Sequence, residues 1–194
     1  MASTAVNDLH LRMREATHRA HESLEEQGYS VALADGTLAV EQLARSLADW
    51  RIVYEAVEAR ADDLGDVWRP WMARTERIDA DLALLPKVEG RGACAADFAE
   101  LVRSVEPDAL AGILYVLEGS AMGGMVLVRS VRKIAGPDVG AFHAPYGKET
   151  RQKFVGFLQR LGDLDPDVDR VLAGAAAGFE HIARMTAEWS PPAA

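Results

Sequence analysis

The chain has 194 residues, 49% of them hydrophobic and 26% charged, which is the composition of one soluble globular domain with a substantial core. Its net charge of −9 argues against a nucleic-acid binder, whose footprint is a basic patch or stripe. A single cysteine, Cys94, excludes an internal disulfide framework and a multi-cysteine metal site, and it suits a reducing cytoplasm.

The first residues carry no basic region followed by an apolar one, so no secretory signal is read there. Helical periodicity then dominates, with no alternating strand. Asn7 or Asp8 can cap a first helix that runs to about Gln27 and stops at Gly28. A second long helix is expected over about 40–64, ending at Gly65. Residues 66–87 read as short helical pieces broken by Pro70 and Pro86, with Trp68 and Trp71 as a hydrophobic plug. Asp62, Asp63 and Asp66 form an acidic run read as solvated. Residues 90–94 are expected as a loop, followed by a helix near 95–104. Pro107 opens a long helix that closes at Gly136-Pro137. Its longest uninterrupted apolar stretch, 110–117, is far too short to span a bilayer, so no membrane association is read. After a loop holding His143, Pro145 and Gly147, two helices are expected over about 148–161 and 166–189, with a frayed tail over 190–194. The chain thus reads as one all-α domain, 1–194, with its core over about 7–189, and as a monomer.

The long helix contains Leu114-Tyr-Val-Leu-Glu-Gly-Ser-Ala-Met-Gly-Gly-Met-Val-Leu-Val-Arg129. Each interior glycine costs roughly 1 kcal/mol relative to alanine, which a helix accepts where it bends or where something approaches its backbone. Gly119 and Gly123 lie about 40° apart on a helical wheel, with Ser120 about 100° from Gly119. One face is therefore nearly bare backbone beside a hydroxyl. Met122 and Met125, flanking Gly123 and Gly124, read as core packing.

On the first helix Leu9, Met13, Ala16, Ala20 and Leu24 form an apolar stripe. Beside it runs a second stripe of Arg14, Thr17, His18, His21 and Glu25. His21 falls at the border, where an imidazole can face an apolar cavity while cationic neighbours face its mouth. That layout suits a flat, greasy ligand with anionic groups, and it equally suits a histidine that merely packs at a core edge. His18 and His21 could also share a metal, though the helical H-E-x-x-H spacing is missing. His143 and His181 read as surface or core residues, His10 has no assigned role, and Cys94 lacks a partner that would make it a nucleophile.

Together the two helices could hold a planar macrocycle, with the imidazole on its iron and the glycines over the opposite face. Here the sequence resembles the heme oxygenases, in their bacterial, biliverdin-producing form. Arg14-Glu-Ala-Thr-His-Arg-Ala-His21 followed by Glu25 is similar to their proximal helix, and 114–124 is similar to their distal signature. The resemblance implies a helical bundle with haem, as both cofactor and substrate, between an N-terminal proximal helix and a glycine-kinked distal helix. His21 is then the iron ligand and Glu25 the acceptor that fixes its tautomer. Arg14, Thr17 and His18 are expected to bind the cofactor, and Tyr146 and Arg151 to line the same mouth, with Lys148 and Lys153 as further candidates. Gly119, Ser120, Gly123 and Gly124 are expected to form the catalytic distal wall. The implied reaction uses dioxygen and electrons from an external ferredoxin, flavodoxin or reductase, and yields biliverdin, carbon monoxide and ferrous iron. Ser120 departs from the aspartate that the animal enzymes carry there, which leaves a non-catalytic haem carrier or sensor as the alternative. A thiamin-degrading enzyme on a related scaffold would need a cysteine nucleophile, and Cys94 is poorly placed for one.

Overall fold

The computed structural model describes residues 2–88 and 92–190, and among these it contains eight α-helices and no strand. They are α1 (Ala2–Glu25), α2 (Gly28–Asp35), α3 (Val40–Glu58), α4 (Thr75–Leu82), α5 (Ala93–Ser104), α6 (Pro107–Ala135), α7 (Thr150–Asp163) and α8 (Val168–Trp189). Short 3-10 turns occupy Ala61–Val67, Pro70–Met72 and Gly147–Glu149. The expected α3 is shorter by one turn and a half: it stops at Glu58, and the chain reaches Gly65, at φ +48°, through the first 3-10 turn. Gly28 stops α1 but also opens α2. Cys94 lies in the first turn of α5 instead of a loop, and its backbone N–H donates to Glu188 at 3.4 Å. Residues 90 and 91 of the expected loop, and 191–194 of the expected tail, lie outside the described residues.

The core is organised on α6. Leu110, Ile113, Leu114 and Leu117 are completely or almost completely buried, and they recur at the spacing that puts one helix face inward. By length and apolar composition α6 could cross a membrane, but 56% of its most apolar window is buried inside the protein, so it is a core helix. Its main partner is α8. A Cβ on Gly112 would collide with the Val171 carbonyl oxygen, and one on Gly174 with the Ala109 carbonyl oxygen, so the two backbones lie in direct contact. α6 runs through its later glycines as one continuous helix, without a non-helical residue.

α1 packs on α7 and α8. Leu9 and Met13 are buried as the periodicity predicts, whereas Ala16 and Ala20 are exposed. Thr17 takes the inward place instead, because its hydroxyl donates to the Met13 carbonyl at 2.8 Å and needs no other partner. Two buried carboxylates tie loops to this frame. Asp49 accepts from the Gly92 N–H and from Trp189 Nε1, both at 2.8 Å. Asp81 accepts from the N–H groups of Gly140, Ala141 and Phe142 at 2.9, 3.0 and 2.9 Å.

Candidate functional site

α1 and α6 are linked at two levels. At the first level the His10 ring lies edge-on to Tyr115 of α6, 6.1 Å between centroids, and to Phe154 of α7 at 6.2 Å. Burial, and then the Arg14 charge, hold the His10 imidazole below its ordinary pKa, so it packs as a neutral ring. At the second level α2 bridges the helices. Ser130 Oγ donates to the Ala34 carbonyl at 2.7 Å and Lys133 Nζ to that of Asp35 at 3.1 Å, capping the end of α2 with side chains of α6. His21 lies about 16 Å along α1 from His10, and Gly123 about 12 Å along α6 from Tyr115, so both fall between the two joints. α8 runs behind, touching α1 through Phe179, whose ring is 6.0 Å from His21, and α6 through Gly178.

His21 is accessible, with 58% of its side chain exposed. Glu25 Oε1 stands 3.6 Å from its Nδ1, within ion-pair range but beyond a hydrogen bond, and Nε2 has no such neighbour in that pair. His18 lies one turn earlier, 3.4 Å from Glu22, and Arg14 is exposed. On α6, a Cβ at Gly123 would meet nothing within 4 Å, and one at Gly119 would only touch the Phe154 ring at 3.9 Å. Those two glycines leave backbone uncovered on the open side. Gly124 does something else: it is buried, and a Cβ there would collide with the His143 carbonyl oxygen. Its glycine is explained by loop packing, not by a bare face. Ser120 is exposed and donates to the Leu117 carbonyl at 2.6 Å. Met122 and Met125, expected in the core, are 41% and 38% exposed and give this wall an apolar, polarisable surface.

Not every expected residue joins the group. Lys148 and Arg151 line an open groove along α7 with Gln152, Val155, Gly156 and Gln159, and no α1 residue lines that groove. Lys153 pairs with Glu149 at 3.2 Å and lies over the Trp71 ring at 4.6 Å. Tyr146 does not line a mouth; its hydroxyl is inside the protein, donating to Glu118 Oε2 at 2.8 Å. Arg74 completes that cluster, with Nη2 at 3.1 Å from Glu118 Oε1 and Nη1 at 2.6 Å from the Tyr146 hydroxyl. Its guanidinium also lies 4.4 Å over the Tyr146 ring. Arg74 and Glu118 are each only 1% exposed. Burial raises the Glu118 carboxyl pKa while Arg74 opposes the rise, and burial pushes the nearby Tyr54 phenol up to about 12. The sequence holds one signal for this cluster: Glu118 is a charge on the apolar side of α6 and therefore requires a buried partner.

His143 and His181 are packing residues, as expected. His143 is buried, and desolvation pushes its pKa down to about 4. His181 stacks on Phe98 at 5.2 Å. No group of three or more metal-ligating side chains occurs among the described residues.

The frame is that of an all-α protein in which α1 carries an exposed imidazole and α6 carries backbone left uncovered at Gly119 and Gly123. The chain belongs to the heme oxygenase family, whose model matches residues 7–188. Its structure is similar to that of heme oxygenase from Leptospira interrogans, with a TM-score of 0.83, 21% identity, and coverage of 93% of this chain and 98% of that one. It is also similar to heme oxygenase-1 from the cyanobacterium Synechocystis in complex with heme, with a TM-score of 0.80, 19% identity, and coverage of 93% and 91%. Heme oxygenase 2 from Chlamydomonas reinhardtii, solved without heme, gives a TM-score of 0.81 at 19% identity, covering 95% of this chain and 99% of that one. At such identities the likeness is one of fold. No curated protein matches the chain in sequence.

Proposed function

We propose that the protein is a heme oxygenase that binds haem between α1 and α6 and opens it to biliverdin, carbon monoxide and ferrous iron. Dioxygen is the oxidant, and electrons come from an external donor of the ferredoxin, flavodoxin or reductase type. The protein acts as a monomer in the cytoplasm. The observations that carry this reading are the accessible His21 on α1 and the uncovered backbone at Gly119 and Gly123 on α6, in a chain of the heme oxygenase family.

The residues fit the group. His21 offers a nitrogen to iron while Glu25 faces the other, and Phe179 supports the imidazole from α8. Arg14 and His18, on the same side of α1, and Arg151 on α7 supply cationic side chains for propionates. Thr17 packs into the core behind α1 with its hydroxyl on the Met13 carbonyl, and Tyr146 lies behind α6 with its hydroxyl on Glu118, so neither offers a polar group to the ligand. When bound, haem supplies the iron that activates dioxygen and the ring that is opened.

The chain's own contribution is steric and polar. Gly119 and Gly123, with no side chain and open space before them, would let helix backbone stand close to a bound haem face and leave little room there beyond a small molecule. Ser120 has spent its proton on Leu117, so its exposed oxygen is left as an acceptor that would orient a proton-bearing group beside the ligand rather than donate a proton itself. The exposed Met122 and Met125 keep the remainder of the wall apolar.

Purified protein given haem, a reductant and oxygen should lose the Soret band and gain biliverdin absorbance. Haem that persists through reduction and oxygenation would sink the reading.

A further inference from the structure

The wall that carries the glycines is gripped from behind on both sides of its bare segment, and by the same loop. Just before Gly119, Glu118 reaches back into the protein to Arg74 and Tyr146. Just after Gly123, Gly124 lies against the carbonyl oxygen of His143. Tyr146 and His143 belong to one stretch, 140–146, and that stretch is fixed in turn by Asp81 through the three N–H groups of 140–142. Arg74 is fixed as well: its backbone N–H and that of Thr75 donate to Glu58 Oε1 of α3 at 2.7 and 2.9 Å. The bare segment is thus suspended between two anchored points, neither of which is on its open face.

We infer that Arg74, Glu118 and Tyr146 are positioning residues that set how far the glycine wall stands from the ligand, and hence which edge of the ring is attacked. Buried ionic groups are seldom retained for net stability, because desolvation offsets their attraction. Here they hold a register: a closed ring of three hydrogen bonds among Arg74, Tyr146 and the two Glu118 oxygens has one geometry, whereas an apolar contact at the same place would let α6 slide or rotate. None of the three touches the slot. Their effect passes through the α6 backbone, one residue ahead of Gly119. The inference rests on the haem-opening function proposed above.

Tyr146→Phe keeps the ring over Arg74 and removes only the hydroxyl. The double variant R74M/E118M removes both charges together and leaves neither stranded in the interior. Two measurements test the inference. Amide hydrogen exchange on the ligand-free protein should rise about tenfold at 119–124 in both variants, the factor one charge-assisted hydrogen bond is worth, with α8 unchanged. In the haem-loaded protein, a single biliverdin isomer from the wild type should become a mixture. Exchange that rises equally throughout α3, α6 and α8, exchange unchanged at 119–124, or an unaltered isomer pattern would each overturn the inference. Failure of the functional reading shows separately, as wild-type protein that opens no haem, and the exchange result then decides the anchoring by itself.

Discussion

Gly124 lies so close to the His143 carbonyl oxygen that no Cβ can be placed between them, while Gly123, its neighbour, faces open space. Adjacent glycines in one helix therefore answer to different demands. Gly124→Ala must push the 140–146 loop away and should cost about 1–3 kcal/mol, as overpacking does. Gly123→Ala should raise the stability of the ligand-free protein by up to about 1 kcal/mol through helix propensity, yet slow haem opening by filling the slot face. Denaturant melts of the two variants, with turnover assays alongside, check the contrast; equal destabilisation by both would contradict it.

His21→Ala should abolish the spectrum of imidazole-ligated iron while leaving the helical circular dichroism unchanged, since the side chain is largely exposed. Glu25→Ala should weaken haem binding by about tenfold or less, because its carboxylate is itself 70% exposed and acts on a partner at 3.6 Å. Haem titrations followed by visible absorption separate the two effects.

The His143 imidazole titrates at about 4 in the folded protein, against 6.5 when exposed, because its burial penalises the charged form. The unfolded chain therefore binds the proton first. Stability contributed by the neutral ring is fully present above pH 6.5 and is lost as the pH falls toward 4, a gap worth on the order of 3 kcal/mol. Urea melts of wild type and His143→Leu between pH 7 and pH 4.5 should converge as pH falls, with the wild type losing more. Parallel pH profiles would show that the ring does not titrate in this window.

Asp81→Ala removes the acceptor of three backbone N–H groups at once. The expected cost is about 2–4 kcal/mol, since charged acceptors of buried donors are expensive to lose. Asp81→Asn should cost less because one oxygen remains. Equilibrium unfolding measures both, and the ordering of Ala below Asn is the result that matters.

Much of this fold can be read from local chemistry. Pro107 and Gly136 bracket α6 where the pattern places them, and the spacing of Leu110, Ile113, Leu114 and Leu117 marks its buried face. His21 and the glycine segment are legible as well, because an imidazole at a stripe border and a run of costly glycines are both local signals. What a single residue's neighbours in sequence cannot tell is which distant backbone lies opposite. Gly124 needs the His143 carbonyl to explain it, and Arg74, a charged residue among the short helical pieces of 66–87, is buried with Glu118 and Tyr146, which come to it from other segments. Met122 and Met125 have a core residue's chemistry but face outward, since α6 is uncovered along that side.

The placement of α1 bears on how the molecule is made. The helix that bears His21 precedes in the chain the surfaces it packs on, α7 and α8, by more than a hundred residues. Its docking is a contact of long sequence separation, and it cannot form before α7 and α8 have been made. Until then the imidazole stands apart from the glycine wall, so a nascent chain offers the ligand one side of a slot only. Capture of haem between α1 and α6 would thus wait on completion of the bundle.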